Sequence, residues 1–305
     1  MFDIRIGSYV PAVHAHTMIP QLNPLGYESY ALNFNRVAPE ILPHIGEHAR
    51  AIVDALDGRT ISAIGYYGNP LTDLEFRENL IRMIKSAHLY GCSLIGTFAG
   101  GIPGQPVPDA IPLYKEVFTE LSKIADAEGV RLSLEAHGCN WNASSGNIGF
   151  CPAAWELMFD ALDVPSVGLE WEPAHMLRQV MDPIPVLRKW AKKINHLHGK
   201  DGTVAWDVLR DYGIDGGREW MWHRLPGFGD SNWADIFSIL IKSGFEGFCD
   251  IESYHDPVHF DDMEYSAQKV SLDYLKRCRG GIDFIPGPPE YHGFPGSVRK
   301  PGRGL

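Results

Sequence analysis

Four residues able to bind a metal occupy the same place in four apolar runs of the chain. Leu132-Ser133-Leu134 leads to Glu135, and Val167-Gly168-Leu169-Glu170-Trp171 leads to Glu172. Ile194-Asn195-His196-Leu197 leads to His198, and Phe248-Cys249-Asp250-Ile251 leads to Glu252. Three carboxylates gathered at one point repel one another and raise each other's pKa unless a cation neutralises them. Oxygen-rich ligands with one imidazole suit a single Mn²⁺ or Mg²⁺ best, and also accommodate Zn²⁺, Co²⁺ or Fe²⁺. Singly, a glutamate at a strand end is more often a surface or ion-paired residue, and a lone histidine more often a hydrogen-bonded wall residue. The coincidence of four, in phase on consecutive strands, is what points to a metal.

For those residues to meet, the strands must bring their ends together. Strand-like runs fall near Asp3–Ser8, Tyr27–Leu32, Thr60–Gly65, Ser93–Phe98, Val130–Glu135, Val167–Glu172, Ile194–Gly199 and Gly247–Glu252. Amphipathic stretches alternate with them. Leu71–Leu89 opens on Thr72-Asp73-Leu74-Glu75, which reads as a capping box, and Gly91 follows as its stop. A second helix carries Val117, Leu121, Ile124 and Ala125 and stops at Gly129; later ones span Trp155–Leu162, Ile184–Lys193, Trp233–Lys242 and Asp262–Cys278. Strand–helix repetition favours parallel strands with crossovers. Eight such units in 305 residues favour a closed (β/α)₈ TIM barrel. The glycine-rich turn of a dinucleotide-binding fold is missing. We expect a catalytic barrel over 1–278 and an irregular tail over 279–305, where seven glycines and five prolines fall. Asp201–Asn232, after the seventh strand, reads as a long loop rich in glycine and aromatics (Trp206, Trp220, Trp222, Phe228), suited to a substrate lid or partner surface. The tail reads either as disordered or as a segment that embraces a neighbouring subunit through Phe284, Tyr291 and Phe294.

Composition narrows the partners. With 45% hydrophobic and 21% charged residues the chain can fill a large core. A net charge of −11 opposes binding to a phosphate backbone. Five scattered cysteines, the absence of a leader-like N-terminus and the lack of a long apolar stretch lead us to expect a cytoplasmic protein that does not enter membranes.

The strand-end glutamate, then Glu172-Pro173-Ala174-His175, His196-Leu197-His198-Gly199-Lys200-Asp201 and Asp250-Ile251-Glu252 together resemble the xylose-isomerase-like TIM-barrel superfamily. That group includes sugar phosphate isomerases/epimerases and AP-endonuclease-2-like proteins. Arg224-Leu225-Pro226-Gly227-Phe228-Gly229-Asp230 with Trp233, and Ser62-Ala63-Ile64-Gly65 with Asn69-Pro70-Leu71, resemble stretches common among its sugar-active members. The resemblance spans about residues 4–278. It implies that Glu135, Glu172, His198 and Glu252 are the metal ligands, that His175 contacts substrate oxygens, and that Arg224 meets a hydroxyl or phosphate. The family usually has aspartate at the position of Glu172, so that ligand would sit further out or bind through water. His137, His196, Lys200, His223 and His255 flank these motifs and are candidate pocket residues, His137 and Lys200 foremost.

The chemistry expected is proton abstraction beside a sugar carbonyl through a metal-stabilised enediolate, with Glu135 and Glu252 as the acid/base pair. Proton return to the opposite face would give an epimerase, and return to the neighbouring carbon an isomerase. The alternative is β-elimination from a 3-keto glycoside, as in the large subunits of C-glycoside deglycosidases, for which the aromatic loop would receive an aglycone or a small partner subunit. An AP endonuclease, disfavoured by charge, and a non-catalytic sugar-binding barrel are further readings. The expected partner is a small sugar, with no nucleic acid or membrane and with a homo-oligomer or small partner subunit allowed.

Overall fold

The computed structural model describes residues 2–138 and 140–290. Eight parallel strands close into a barrel: β1 (Ile4–Pro11), β2 (Ser29–Asn33), β3 (Thr60–Gly65), β4 (Leu94–Thr97), β5 (Arg131–Glu135), β6 (Val167–Trp171), β7 (Ile194–Gly199) and, beyond an inserted hairpin of β8 (Asp201–Val204) and β9 (Met221–Arg224), β10 (Gly247–Ile251). Neighbours follow sequence order around the ring, and β1 pairs with β10 to close it, from Ile4 opposite Gly247 to Ser8 opposite Ile251. Strands buried on both faces explain the unbroken apolar runs: β6 is buried at every position, and Leu132, Leu134, Leu169, Trp171, Leu197 and Ile251 are all fully covered.

Helices pack outside, their apolar stripes turned inward. Trp155 on Pro152–Ala161 and Trp233 on Trp233–Ser243 are both fully buried. The helix expected from Leu71 begins at Leu74, because Asp73 rather than Thr72 caps it: its carboxylate accepts from the Phe76 amide at 2.9 Å. Thr72 instead accepts from the Asn69 side chain.

The long segment after β7 is largely ordered rather than an open loop. It holds β8 (Asp201–Val204) and β9 (Met221–Arg224), an antiparallel pair, with the helix Trp206–Tyr212 between them. Asp201 anchors this hairpin, accepting from Trp233 Nε1 at 2.9 Å and from the Ser231 amide at 3.1 Å. Asp230 accepts from the Val204 amide at 2.9 Å.

At the opposite end, Arg279 is buried, donates to both oxygens of Glu28 and lies over the Phe2 ring. Phe284 meets Phe2 edge-on, at 5.4 Å between ring centroids. Tyr291 and Phe294 lie outside the described residues. Among the described residues no helix is long and apolar enough to cross a membrane.

Candidate metal centre and pocket

Glu135 is the last residue of β5, Glu172 directly follows β6, His198 lies near the end of β7, and Glu252 directly follows β10. Barrel closure brings them together. One ligand atom from each of the four lies within 4.8 Å of the others, and all four residues are buried. His198 Nδ1 is 3.6 Å from Glu135 Oε1, 3.5 Å from Glu172 Oε2 and 3.6 Å from Glu252 Oε2. The chain enters the short helix Pro173–Leu177 at Glu172, which sets His175 beside it.

The donor set fits a cation. Both carboxylate oxygens of Glu172 and both ring nitrogens of His198 are buried without a hydrogen-bond partner. His175 Nε2 lies 3.0 Å from Glu172 Oε1 yet outside hydrogen-bond geometry, and it too is without a hydrogen-bond partner. Buried polar atoms are normally satisfied, so this many orphans at one point fit a group that supplies positive charge. Electrostatics agree. Burial opposes a charged His198, but Glu170 first, with Glu135 and Glu172, outweighs it and holds the imidazole well above its ordinary pKa. Burial likewise opposes ionisation of Glu172, but His175 and Lys200 hold it well below the carboxylate range.

Lys200 Nζ sits 3.5 Å from Glu172 Oε1 and donates to Glu252 Oε2 at 3.0 Å. Burial works against its charge, and the carboxylates around it raise its pKa above the usual lysine value. Tyr254 Oη donates to Glu252 Oε1 at 2.7 Å, and His255 Nε2 is 3.1 Å from the same oxygen.

A cavity of about 570 Å³ opens over the cluster, lined among others by Glu135, His137, His175, His198, Lys200 and Glu252. Three residues that sequence reasoning missed, Tyr9, Tyr67 and Tyr254, also line it. Burial keeps each of these phenols neutral, its pKa raised. His137, His175 and His223 also line a second cavity of about 710 Å³, together with Arg178, Ile214 and Trp220. Burial, then Lys200, lowers the His223 pKa to about 3, so that ring is neutral.

Two candidates sit elsewhere. Arg224, on β9, is not among the residues lining either cavity; its Nε donates to Asp256 Oδ2 at 3.1 Å. His196 is fully buried beneath the cluster rather than on the cavity wall. Its Nδ1 is 2.7 Å from Glu170 Oε1 and its Nε2 is 2.6 Å from Asp250 Oδ2. Tyr67 donates to Glu170 and Ser62 to Asp250, extending this polar tier across the barrel.

A family model described as xylose isomerase-like TIM barrel matches residues 20–278. Inosose dehydratase of Bacillus thuringiensis (strain Al Hakam) is 24% identical over 228 residues, covering 67% of this chain and 72% of the relative. Among solved structures, the 3-keto-D-glucoside 4-epimerase of E. coli superposes with a TM-score of 0.67 at 16% identity, covering 90% of this chain and 100% of its own. A xylose isomerase domain protein from Planctomyces limnophilus gives a TM-score of 0.65 at 22% identity, with 90% and 96% covered.

Proposed function

We propose that this chain, which belongs to the xylose isomerase-like TIM-barrel family, is a divalent-metal-dependent sugar isomerase or epimerase. The observation that carries the reading is the convergence of Glu135, Glu172, His198 and Glu252, with buried atoms left unsatisfied among them. The oxygen-rich set with one imidazole favours Mn²⁺ or Mg²⁺. A cation held there would polarise a sugar carbonyl and stabilise negative charge developing on its oxygen.

The protein's own groups do the rest. Glu135 takes the proton from the carbon beside the carbonyl. Glu252, already accepting from Tyr254 and Lys200, faces it as the group that returns a proton. His175 and Lys200 hold substrate oxygens, and His137 closes the wall where the two cavities meet. The names of the similar proteins include a dehydratase and an epimerase, reactions that can share a first proton abstraction.

A second reading is favoured by the adjoining cavity. Its Trp220 and Ile214 offer apolar surface next to the sugar pocket, which suits an aglycone. On a 3-keto glycoside the same proton abstraction would be followed by departure of the C1 substituent with its bonding pair, leaving a double bond in the ring.

Incubating metal-loaded protein in D₂O with ketoses, 3-keto glucosides and their glycosides separates these readings. Deuterium beside the carbonyl supports proton abstraction, and released aglycone identifies the lyase. Glu135→Gln is expected to cut exchange by at least about 100-fold with the fold intact. Unchanged exchange in that variant would remove Glu135 from the reaction.

A further inference from the structure

The cavity holds a cation that the proposed chemistry leaves unused. Arg36 lies just beyond β2, is exposed, and lines the cavity with Asn33 and Asn35. Its φ is +66°, the left-handed region that glycine or asparagine enters at much lower cost. The turn that imposes this conformation is pinned throughout. Asn33 Oδ1 accepts from the Asn35 amide at 2.8 Å, and Asn35 Oδ1 accepts from the Tyr67 amide at 3.0 Å. The Phe34 amide donates to the Gly65 carbonyl at 2.8 Å, and the Phe34 ring is fully buried near His48 and Tyr90. A strained backbone kept in place by its surroundings points to a side chain wanted for function.

Arg36 also differs from the other cationic wall residue. Lys200 is matched by Glu172 and Glu252, whereas Arg36 makes no ion pair among the described residues. Glu135, Glu172 and Glu252 are balanced by Lys200 and a divalent ion together. Arg36 is then a cation on the wall of the substrate space that no carboxylate among the described residues claims. A guanidinium offers a planar fork of donors that matches two oxygens of one anion, which an ammonium does not.

We propose that Arg36 recognises a carboxylate or phosphate carried by the sugar substrate, so that the enzyme acts on an acidic sugar derivative. The inference rests on the metal-dependent sugar reading above.

The test is equilibrium binding of D-glucuronate, D-glucose 6-phosphate and D-glucose to metal-loaded wild type, Arg36→Gly and Arg36→Lys. Calorimetry reads affinity, elemental analysis reads metal content, and thermal melting reads stability. Wild type is expected to bind at least one acidic sugar about tenfold or more tighter than glucose, and the one preferred identifies carboxylate or phosphate as the source. Arg36→Gly is expected to lose that preference with glucose affinity unchanged, and to melt at the same or a higher temperature because glycine suits the turn. Arg36→Lys is expected to keep part of the preference. No preference in wild type, or an undiminished one in Arg36→Gly, overturns the inference while leaving the metal site standing. A variant that weakens all three sugars alike and melts earlier makes Arg36 a structural turn residue and also overturns it. A protein that binds neither metal nor any sugar overturns the underlying sugar-site reading, and this inference with it.

Discussion

Glu172 reaches the cluster with one methylene more than the aspartate usual in the resembling family, and its Oε2 still comes within 3.5 Å of His198 Nδ1. The short helix that starts behind it fixes its backbone, and its oxygens find no hydrogen-bond donor in correct geometry. Glu172→Gln keeps the shape and removes the charge. Metal titration of that variant is expected to show affinity weakened about tenfold or more, since even residues behind a ligand typically contribute that much. Equal affinity would take Glu172 out of the ligand set. Asp256 illustrates a carboxylate with a structural task. It accepts from Arg224 Nε and from the amides of Leu225, Val258 and His259, tying the hairpin to the segment after β10. Burial works against its ionisation, but those donors win and lower its pKa. Its stabilising effect is therefore full above the ordinary aspartate pKa and fades as pH falls through the lower folded value. Asp256→Ala is expected to cost about 2 kcal/mol at neutral pH, measured by urea unfolding, and to cost less in acid.

Among the elements, the helix that carries His175 ends in an uneconomical way. Val180 has φ +59°, with its amide donating to the Leu177 carbonyl and the Met181 amide donating to the Met176 carbonyl, both at 2.9 Å. That left-handed C-terminal cap normally falls to glycine. Val180→Gly is expected to raise stability by about 1 kcal/mol in denaturant unfolding; a loss would mean the valine side chain supplies packing that outweighs its strain. The barrel strands and the long helices after β3 were legible because their apolar periods are clean, whereas Ala15–Leu22, with Pro20 inside it, and Ile45–Ala55, which follows Pro39 and Pro43, were not. Caps were less so: Thr72 and Asp73 both suit the role, and only the backbone path decides between them. The β8–β9 pair was not legible because four-residue strands, Asp201–Val204 and Met221–Arg224, are too short to display an alternation. Arg224 enters as a substrate contact through the family resemblance alone. Without the hairpin's register, its partner Asp256 is invisible.

Across the whole molecule, β5, β6, β7 and β10 are consecutive in the ring, and the curvature of the barrel turns Glu135 and Glu252 at the two ends of that run toward each other. Beneath the cluster lies a second polar tier whose signal was present in the chain. Glu170 precedes Glu172 by two residues, as His196 precedes His198 and Asp250 precedes Glu252, and residues two apart on a strand share a face. Those residues lie inside the apolar runs rather than at their ends, which makes the tier inconspicuous in the sequence. Its space is tight: a Cβ at Gly7 would meet Asp250 Oδ1 at 1.9 Å and the Ser29 carbonyl oxygen at 2.7 Å. Gly7→Ala is expected to lower stability by about 1–3 kcal/mol, read as an earlier thermal transition; an unchanged transition would show that the tier yields.

The hairpin beside the pocket is fastened along β8, through Asp201 to Trp233 and Ser231 and through Asp230 to Val204, and at Arg224 through Asp256. A doorway framed this firmly stands ajar before any guest arrives. The shape of the entrance is then expected to select what enters, and amide exchange over 201–224 is expected to change little when a sugar is added.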